Sequence, residues 1–384
     1  MTRGRGRTAL QILIVSFATL AALEVGLRAL SPIGLSFDRW IGACQQAEAA
    51  TPLNHAPHVG ALQQRLDSEA VYGSFAGRQY EERYDEWGIK SSALRPQGGD
   101  GTRILFMGDS FIQGYDDANT IPQRVYEWIT EHPPSQQPII ILNAAYSSYS
   151  PLIFTVQAKR LLPAVRPDFV VVDIDETDLF DDAVRYRDQV VRDERGRVVA
   201  IGRNRERQEL LEGCARTARL PLHVLRLMGA LYYQTRANLL DWRQRRSERL
   251  FSVAEMGDRD LPPELVEQMQ YFSTTLDELF STLKEYVPAA RILIVRHPHL
   301  RHLQKDDHGA AVLNRRVGNL VGAAANRNGL AFFDAQDELA AQFAGKPERY
   351  YWNIDMHFNF DGMRVYGELV GRELMRKMND AGAP

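Results

Sequence analysis

Arg103-Ile104-Leu105-Phe106-Met107-Gly108-Asp109-Ser110 is a short apolar run that stops at a glycine and hands over to two polar residues. A run this short, without helical spacing and with a glycine stop, reads as a buried strand. Four further runs share its character: Pro138 to Leu142, Asp168 to Ile174, Arg291 to Val295, and Leu330 to Phe333. Helical stretches separate them. Thr120 to Thr130 carries Pro122 in its first turn, where the missing N–H costs nothing. Pro151 to Leu162 is followed by Pro163 and Pro167, which should end it. Leu265, Met269, Phe272, Leu276, Leu279, Phe280 and Leu283 recur at helical spacing and form one apolar face. Ala310 to Arg327 stops at Asn328-Gly329, and Asp361 is placed to cap a last helix reaching Met378.

Strands apolar on both faces and separated by helices imply a parallel sheet covered on both sides. The expected fold class is therefore α/β: a three-layer α/β/α sandwich around a five-stranded parallel, flavodoxin-like sheet. Ligands in such sheets bind beyond the carboxyl ends of the strands, and Ser110 lies just past the end of the first one.

Near the C-terminus, Asp355-Met356-His357 supplies a carboxylate and an imidazole two residues apart. A serine hydroxyl is a poor nucleophile near neutral pH. It needs an imidazole to take its proton and an acid to hold that imidazole in the right tautomer. Gly108-Asp109-Ser110-Phe111 and Asp355-Met356-His357-Phe358-Asn359-Phe360-Asp361-Gly362, in that order, resemble the first and last blocks of the SGNH (GDSL-type) hydrolase superfamily. The likeness runs over roughly 85–378 and is nearest to bacterial membrane-anchored members with an extracytoplasmic domain.

That resemblance implies Ser110 as nucleophile, His357 as general base and Asp355 as the residue orienting it. It also implies an oxyanion hole of the Ser110 N–H, the Ser148 N–H and the Thr177 side chain. Here the chain departs from the family. Ser148, in Asn143-Ala144-Ala145-Tyr146-Ser147-Ser148, stands where a glycine is expected. Thr177, in Asp173-Ile174-Asp175-Glu176-Thr177-Asp178, stands where an asparagine is expected. Oxyanion donors each contribute about 10²–10³-fold to rate, so these changes bear on rate and substrate more than on fold.

Asp109, Asp178 and His297 are candidate substrate contacts. The acidic block, which continues to Asp181 and Asp182, matches no calcium loop and reads better as caps and solvated charges. His297, His299, His302 and His308 are close in sequence, but a metal site is the weaker reading, and the motifs call for no cofactor and no metal. Tyr350, Tyr351 and Trp352 are open to two readings, a stacking wall for a sugar or aromatic core.

At the other end, Arg3, Arg5 and Arg7 precede an apolar run from Ala9 to Leu23 that continues less cleanly to Leu30. An uncleaved membrane anchor is the favoured reading, over a cleaved signal peptide or a buried helix. The expected layout is a cytoplasmic tail at 1–7, a transmembrane helix at 8–30 and a stalk or linker at 31–100. The hydrolase-like domain would occupy 101–384, with a hairpin and arginine-rich helical insertion at about 183–262. That layout implies a single-pass inner-membrane protein with a periplasmic or extracytoplasmic catalytic domain. A net charge of -3 over 384 residues gives no reason to expect nucleic-acid binding. The two cysteines, Cys44 and Cys214, have no metal-ligand spacing and allow one disulfide.

The sequence thus points to an ester or polysaccharide substrate and to a serine esterase working through an acyl-serine, on a carbohydrate ester. Two alternatives stay open: an O-acyltransferase acting on an exported polysaccharide, which would use the same catalytic residues, and a non-catalytic binding or assembly protein on the same scaffold.

Overall fold

The computed structural model describes residues 3–30, 62–66, 79–83, 85, 87–90, 101–116, 118–133, 138–202, 205–229, 231–233, 235–236, 238–239, 261–304, 308–352 and 356–382. The chain forms two compact units, one of residues 1–52 and 203–246 and the other of 53–202 and 247–384.

The larger unit carries five parallel strands: β1 (Thr102–Met107), β2 (Ile139–Asn143), β3 (Phe169–Asp173), β4 (Ile292–Arg296) and β5 (Ala331–Asp334). Their order across the sheet is β2-β1-β3-β4-β5. Its principal helices are α1 (Ser110–Gln113), α2 (Ile121–Glu131), α3 (Pro151–Val165), α4 (Glu176–Phe180), α5 (Pro263–Tyr286), α6 (His308–Arg327) and α7 (Phe360–Asp380).

Successive strand side chains point to opposite faces, and here both faces are apolar. Leu105, Met107, Val170, Val172, Ile292 and Ile294 join one core, covered by α3, α5 and α6. Their neighbours Ile104, Phe106, Phe169, Val171, Leu293 and Val295 join the other, under α2 and α7. Helices α2 and α7 pack closely because a Cβ at Gly367 of α7 would overlap the Arg124 side chain of α2. The expected α/β sandwich is therefore what the chain forms. The hairpin also forms, as Val190–Arg192 against Val198–Ile201.

Two local expectations need correction, and one open choice is narrowed. Pro163 does not end α3, which runs on to Val165. A proline in the last turn forfeits one backbone hydrogen bond there without clashing beyond it. The last helix is capped by Asn359, whose side chain accepts from Gly362 N at 3.1 Å, and Asp361 sits inside its first turn. Tyr351 and Trp352 are buried, and Tyr351 donates its hydroxyl to Pro298 O at 2.6 Å, so these two take the core-packing reading, while Tyr350 is half-buried.

The smaller unit contains the helix Arg3–Leu30, the helix Arg205–Ala218 and helical backbone at 223–229. The expected transmembrane helix over 8–30 is not met: among the described residues no helix is long and apolar enough to cross a membrane. Gln11, Ser16 and Thr19 dilute the apolar run. Glu24 and Arg28 close it, making a 2.7 Å ion pair in which Glu24 also accepts from Val224 N at 3.0 Å. Most of the expected stalk, 31–100, lies outside the described residues.

Candidate active site

Where β1 stops, Gly108 is required by space, since a Cβ there would overlap the Ile112 side chain. Asp109 then caps α1 by accepting from Phe111 N at 2.9 Å. That leaves Ser110 as the first residue of α1 with its hydroxyl uncommitted to capping. Ser110 Oγ lies 2.7 Å from His357 Nε2.

The histidine precedes Phe358, which forms an antiparallel bridge with Tyr351 shortly before the start of α7. Beside that bridge, Trp352 N donates to His357 O at 3.1 Å. Asp355, the expected orienting acid, lies outside the described residues.

Ser110 opens on a cavity of about 320 Å³ whose wall also includes Asp109, Ser148, Thr177 and Met356. Charged side chains close its far side: Arg301 pairs with Glu176 at 2.8 Å and Arg185 with Asp181 at 3.0 Å. Ser148 sits at φ 61 in a turn closed by Tyr149 N donating to Tyr146 O at 3.0 Å. This is the left-handed region in which glycine is the cheap residue, so the position keeps glycine's conformation without glycine. Thr177 lines the cavity, but its hydroxyl donates to Asp175 Oδ1 at 2.7 Å.

Of the three candidate substrate contacts, Asp109 alone lines the cavity. Asp178 is buried, with Oδ2 accepting from Asp175 N at 2.9 Å to complete the capping box of α4. His297 is fully buried, with Nδ1 2.9 Å from Asp173 Oδ1. The expectation that it reaches the cleft is corrected: the Phe111 ring packs 4.1 Å from it and 4.6 Å from His357, lying against both imidazoles.

The charges around this ring are strongly perturbed. Burial, reinforced by the charge of Asp175, pushes the Asp109 carboxyl up to about 7. Burial acts on Asp175 the same way. There the imidazoles of His299 and His297 and the Thr177 hydrogen bond outweigh it, and hold the carboxyl well below the usual range. His297 loses basicity to burial, yet the Asp173 and Asp175 carboxylates raise it above the ordinary histidine value.

Sequence reasoning did not single out Phe111, Arg185 or Arg301. Strand and helix patterns carry no signal for them, because their roles come from short helical turns, far apart in sequence, that meet at the sheet end.

No protein-family model matches the chain, and no curated protein matches it in sequence. Solved structures similar to it include a lipase/acylhydrolase from Enterococcus faecalis, at 13% identity and a TM-score of 0.39 over 72% of this chain and 96% of that one. Another is Axe2, an acetylxylan esterase from Geobacillus stearothermophilus, at 14% identity and a TM-score of 0.42 over 72% and 95%. A third is a two-domain esterase active on acetylated mannans, at 15% identity and a TM-score of 0.40 over 74% of this chain and 51% of that one.

Proposed function

We propose that this chain is a serine esterase that works through an acyl-Ser110 intermediate. The observation that carries the reading is the 2.7 Å contact between Ser110 Oγ and His357 Nε2 on the wall of a cavity at the carboxyl ends of the strands. His357 takes the hydroxyl proton as Ser110 attacks the ester carbonyl. It then gives that proton to the departing alcohol, and water releases the acyl group. Asp355 is assigned to hold the imidazole tautomer. The backbone N–H groups of Ser110 and Ser148 are assigned to the developing oxyanion. Thr177 joins them only where its hydroxyl turns away from Asp175.

The substrate class proposed is a carbohydrate ester. It rests on the motif resemblance and on a cavity wall that sets the paired charges of Arg185 and Arg301 beside apolar Phe180 and Met356. Transfer to a sugar hydroxyl instead of water uses the same residues, and acceptor competition assays separate the two. An oxidising, extracytoplasmic location is part of the proposal, supported by Cys214 being disulfide-bonded.

A non-catalytic ester- or polysaccharide-binding scaffold is the second reading, favoured by the commitment of the Thr177 hydroxyl to Asp175. Intact mass after fluorophosphonate treatment tests both. One adduct on the wild-type chain, lost in Ser110→Ala, is the expected result. No adduct on folded wild-type protein transfers the case to the binding scaffold.

A further inference from the structure

Packed against the Phe111 ring is a second, buried cluster of histidines and carboxylates, which the proposed reaction does not use. His297 and His299 leave the end of β4, and Asp175 follows the end of β3, its neighbour in the sheet. All three are buried, and one ligand-type atom from each lies within 4.8 Å of the others.

The hydrogen bonds around them leave specific atoms uncommitted. Asp173 Oδ1 lies 2.9 Å from His297 Nδ1, while Tyr366 donates its hydroxyl to Asp173 Oδ2 at 2.6 Å. A carboxylate on Nδ1 fixes the proton there and turns the Nε2 lone pair inward. Asp175 Oδ1 is occupied by the Thr177 N–H and hydroxyl, both at 2.7 Å, which leaves Oδ2 to face the imidazoles. Oδ2 is 2.6 Å from His299 Nε2 and 3.6 Å from His297 Nε2. The second separation is too long for a hydrogen bond and suits two ligands of one small ion. His297 Nε2, which faces Asp175, has no hydrogen-bond partner. Buried polar atoms are rarely left so.

We infer that Asp175, His297 and His299 form a buried site for a divalent transition-metal ion of zinc type, with Asp173 as the positioning residue for His297. Two imidazole nitrogens and one carboxylate oxygen are a zinc donor set, and a carboxylate on the back nitrogen of a ligating histidine is the usual orienting contact. Ion binding replaces the hydrogen bond between His299 and Asp175. The Phe111 ring lies 5.0 Å from His299 as well as against His297 and His357. The ion therefore clamps the ends of β3 and β4 together and does not touch the ester.

The test uses the full chain, stripped of metal and titrated with Co²⁺ and Zn²⁺. Wild type is expected to bind one equivalent of Co²⁺ with the visible absorption of a low-coordinate nitrogen–oxygen site, displaced by Zn²⁺, and to melt at a higher temperature when loaded. His297→Gln and His299→Gln should lose that absorption. Asp173→Asn should weaken binding by about 10- to 100-fold, and Ser110→Ala should bind as wild type does. A wild-type chain that gives no Co²⁺ absorption and no thermal shift with either ion overturns the inference, whether or not the variants fold. Undiminished absorption in a folded His297→Gln, His299→Gln double variant overturns it as well.

Discussion

Two sets of side chains that meet at the Phe111 ring use imidazoles in opposite circumstances. On one side Ser110 and His357 are half-buried and meet at a cavity. On the other, Asp173, Asp175, His297 and His299 are sealed, with side chains at most 2% exposed. Ser110 follows β1 and the buried set follows β3 and β4, so both lie at the carboxyl edge of one sheet, and both hold imidazoles. Access separates them. A group that must meet a substrate needs a path to it, whereas a sealed network can act only on what packs around it. Residue type nominates a site, and burial decides between chemistry and architecture.

The sharpest way to break this contrast is to remove one member from each side. Ser110→Ala should lower ester turnover by at least about 10³-fold, the scale seen when a nucleophile that acts with its base is deleted, while the melting temperature stays near wild type. Asp173→Asn should do the reverse. It disturbs buried hydrogen bonds from His297 and Tyr366, which costs about 1–3 kcal/mol in urea unfolding. Its fluorophosphonate labelling per folded molecule should stay intact. Equal loss of labelling in both variants would mean that the two sides are one functional unit.

Phe111→Ala attacks the partition itself. The ring is 1% exposed, and truncating a buried phenylalanine costs about 3–5 kcal/mol. Turnover and stability should fall together in this variant, unlike in the two above. A cost below about 1 kcal/mol would mean that the ring does not divide the site.

The contrast extends to a third carboxylate. Asp182 is fully buried, accepting from Ser150 Oγ at 2.6 Å, Thr275 Oγ1 at 2.5 Å and Leu152 N at 3.1 Å. Burial still prevails over those bonds and pushes the carboxyl from 3.8 up to about 7. The folded state therefore binds this proton more tightly than the unfolded chain does. Its contribution is complete below about pH 4 and is lost as the pH rises to about 7, by no more than about 1.4 kcal/mol per pH unit. Asp182→Asn removes this dependence. Urea midpoints at pH 4.5 and 7.5 should show the variant gaining on wild type at the higher pH. An unchanged difference between them would mean that Asp182 stays ionised.

Much of this was legible in the sequence because strand and helix signals are local. The run Ile104 to Met107 and the centres of its four counterparts are apolar at consecutive positions, which a sheet covered on both faces demands. Ser110 and His357 were legible because their motifs place them at element ends. What escaped depended on packing between distant segments. His297 follows a strand as expected, yet only the fold puts Phe111 against it. Asn359 and Asp361 are both competent caps, and helix phase chose the earlier one. The apolar run at Ala9 to Leu23 announced a helix correctly, but the polar contacts of Glu24 and Arg28 with 221–224 could not be read from it.

The smallest expected effect probes the open side at Ser148. A residue with a Cβ at φ 61 costs about 1 kcal/mol or more over glycine. The turn holds nonetheless, with Ser148 O accepting from Tyr186 Oη at 2.8 Å. Because that bond is made by the backbone, Ser148→Gly keeps it and keeps the N–H assigned to the oxyanion. The variant should therefore gain up to about 1 kcal/mol of stability, less what the unfolded chain gains from an added glycine. Its turnover should stay within about threefold of wild type. Ser148→Pro removes the N–H and cannot adopt a positive φ, so it should lose both stability and turnover. A glycine variant that folded as well but lost activity would assign the role to the Ser148 hydroxyl. That would move the donor on the open side from backbone to side chain, and with it the reason for a serine at a glycine position.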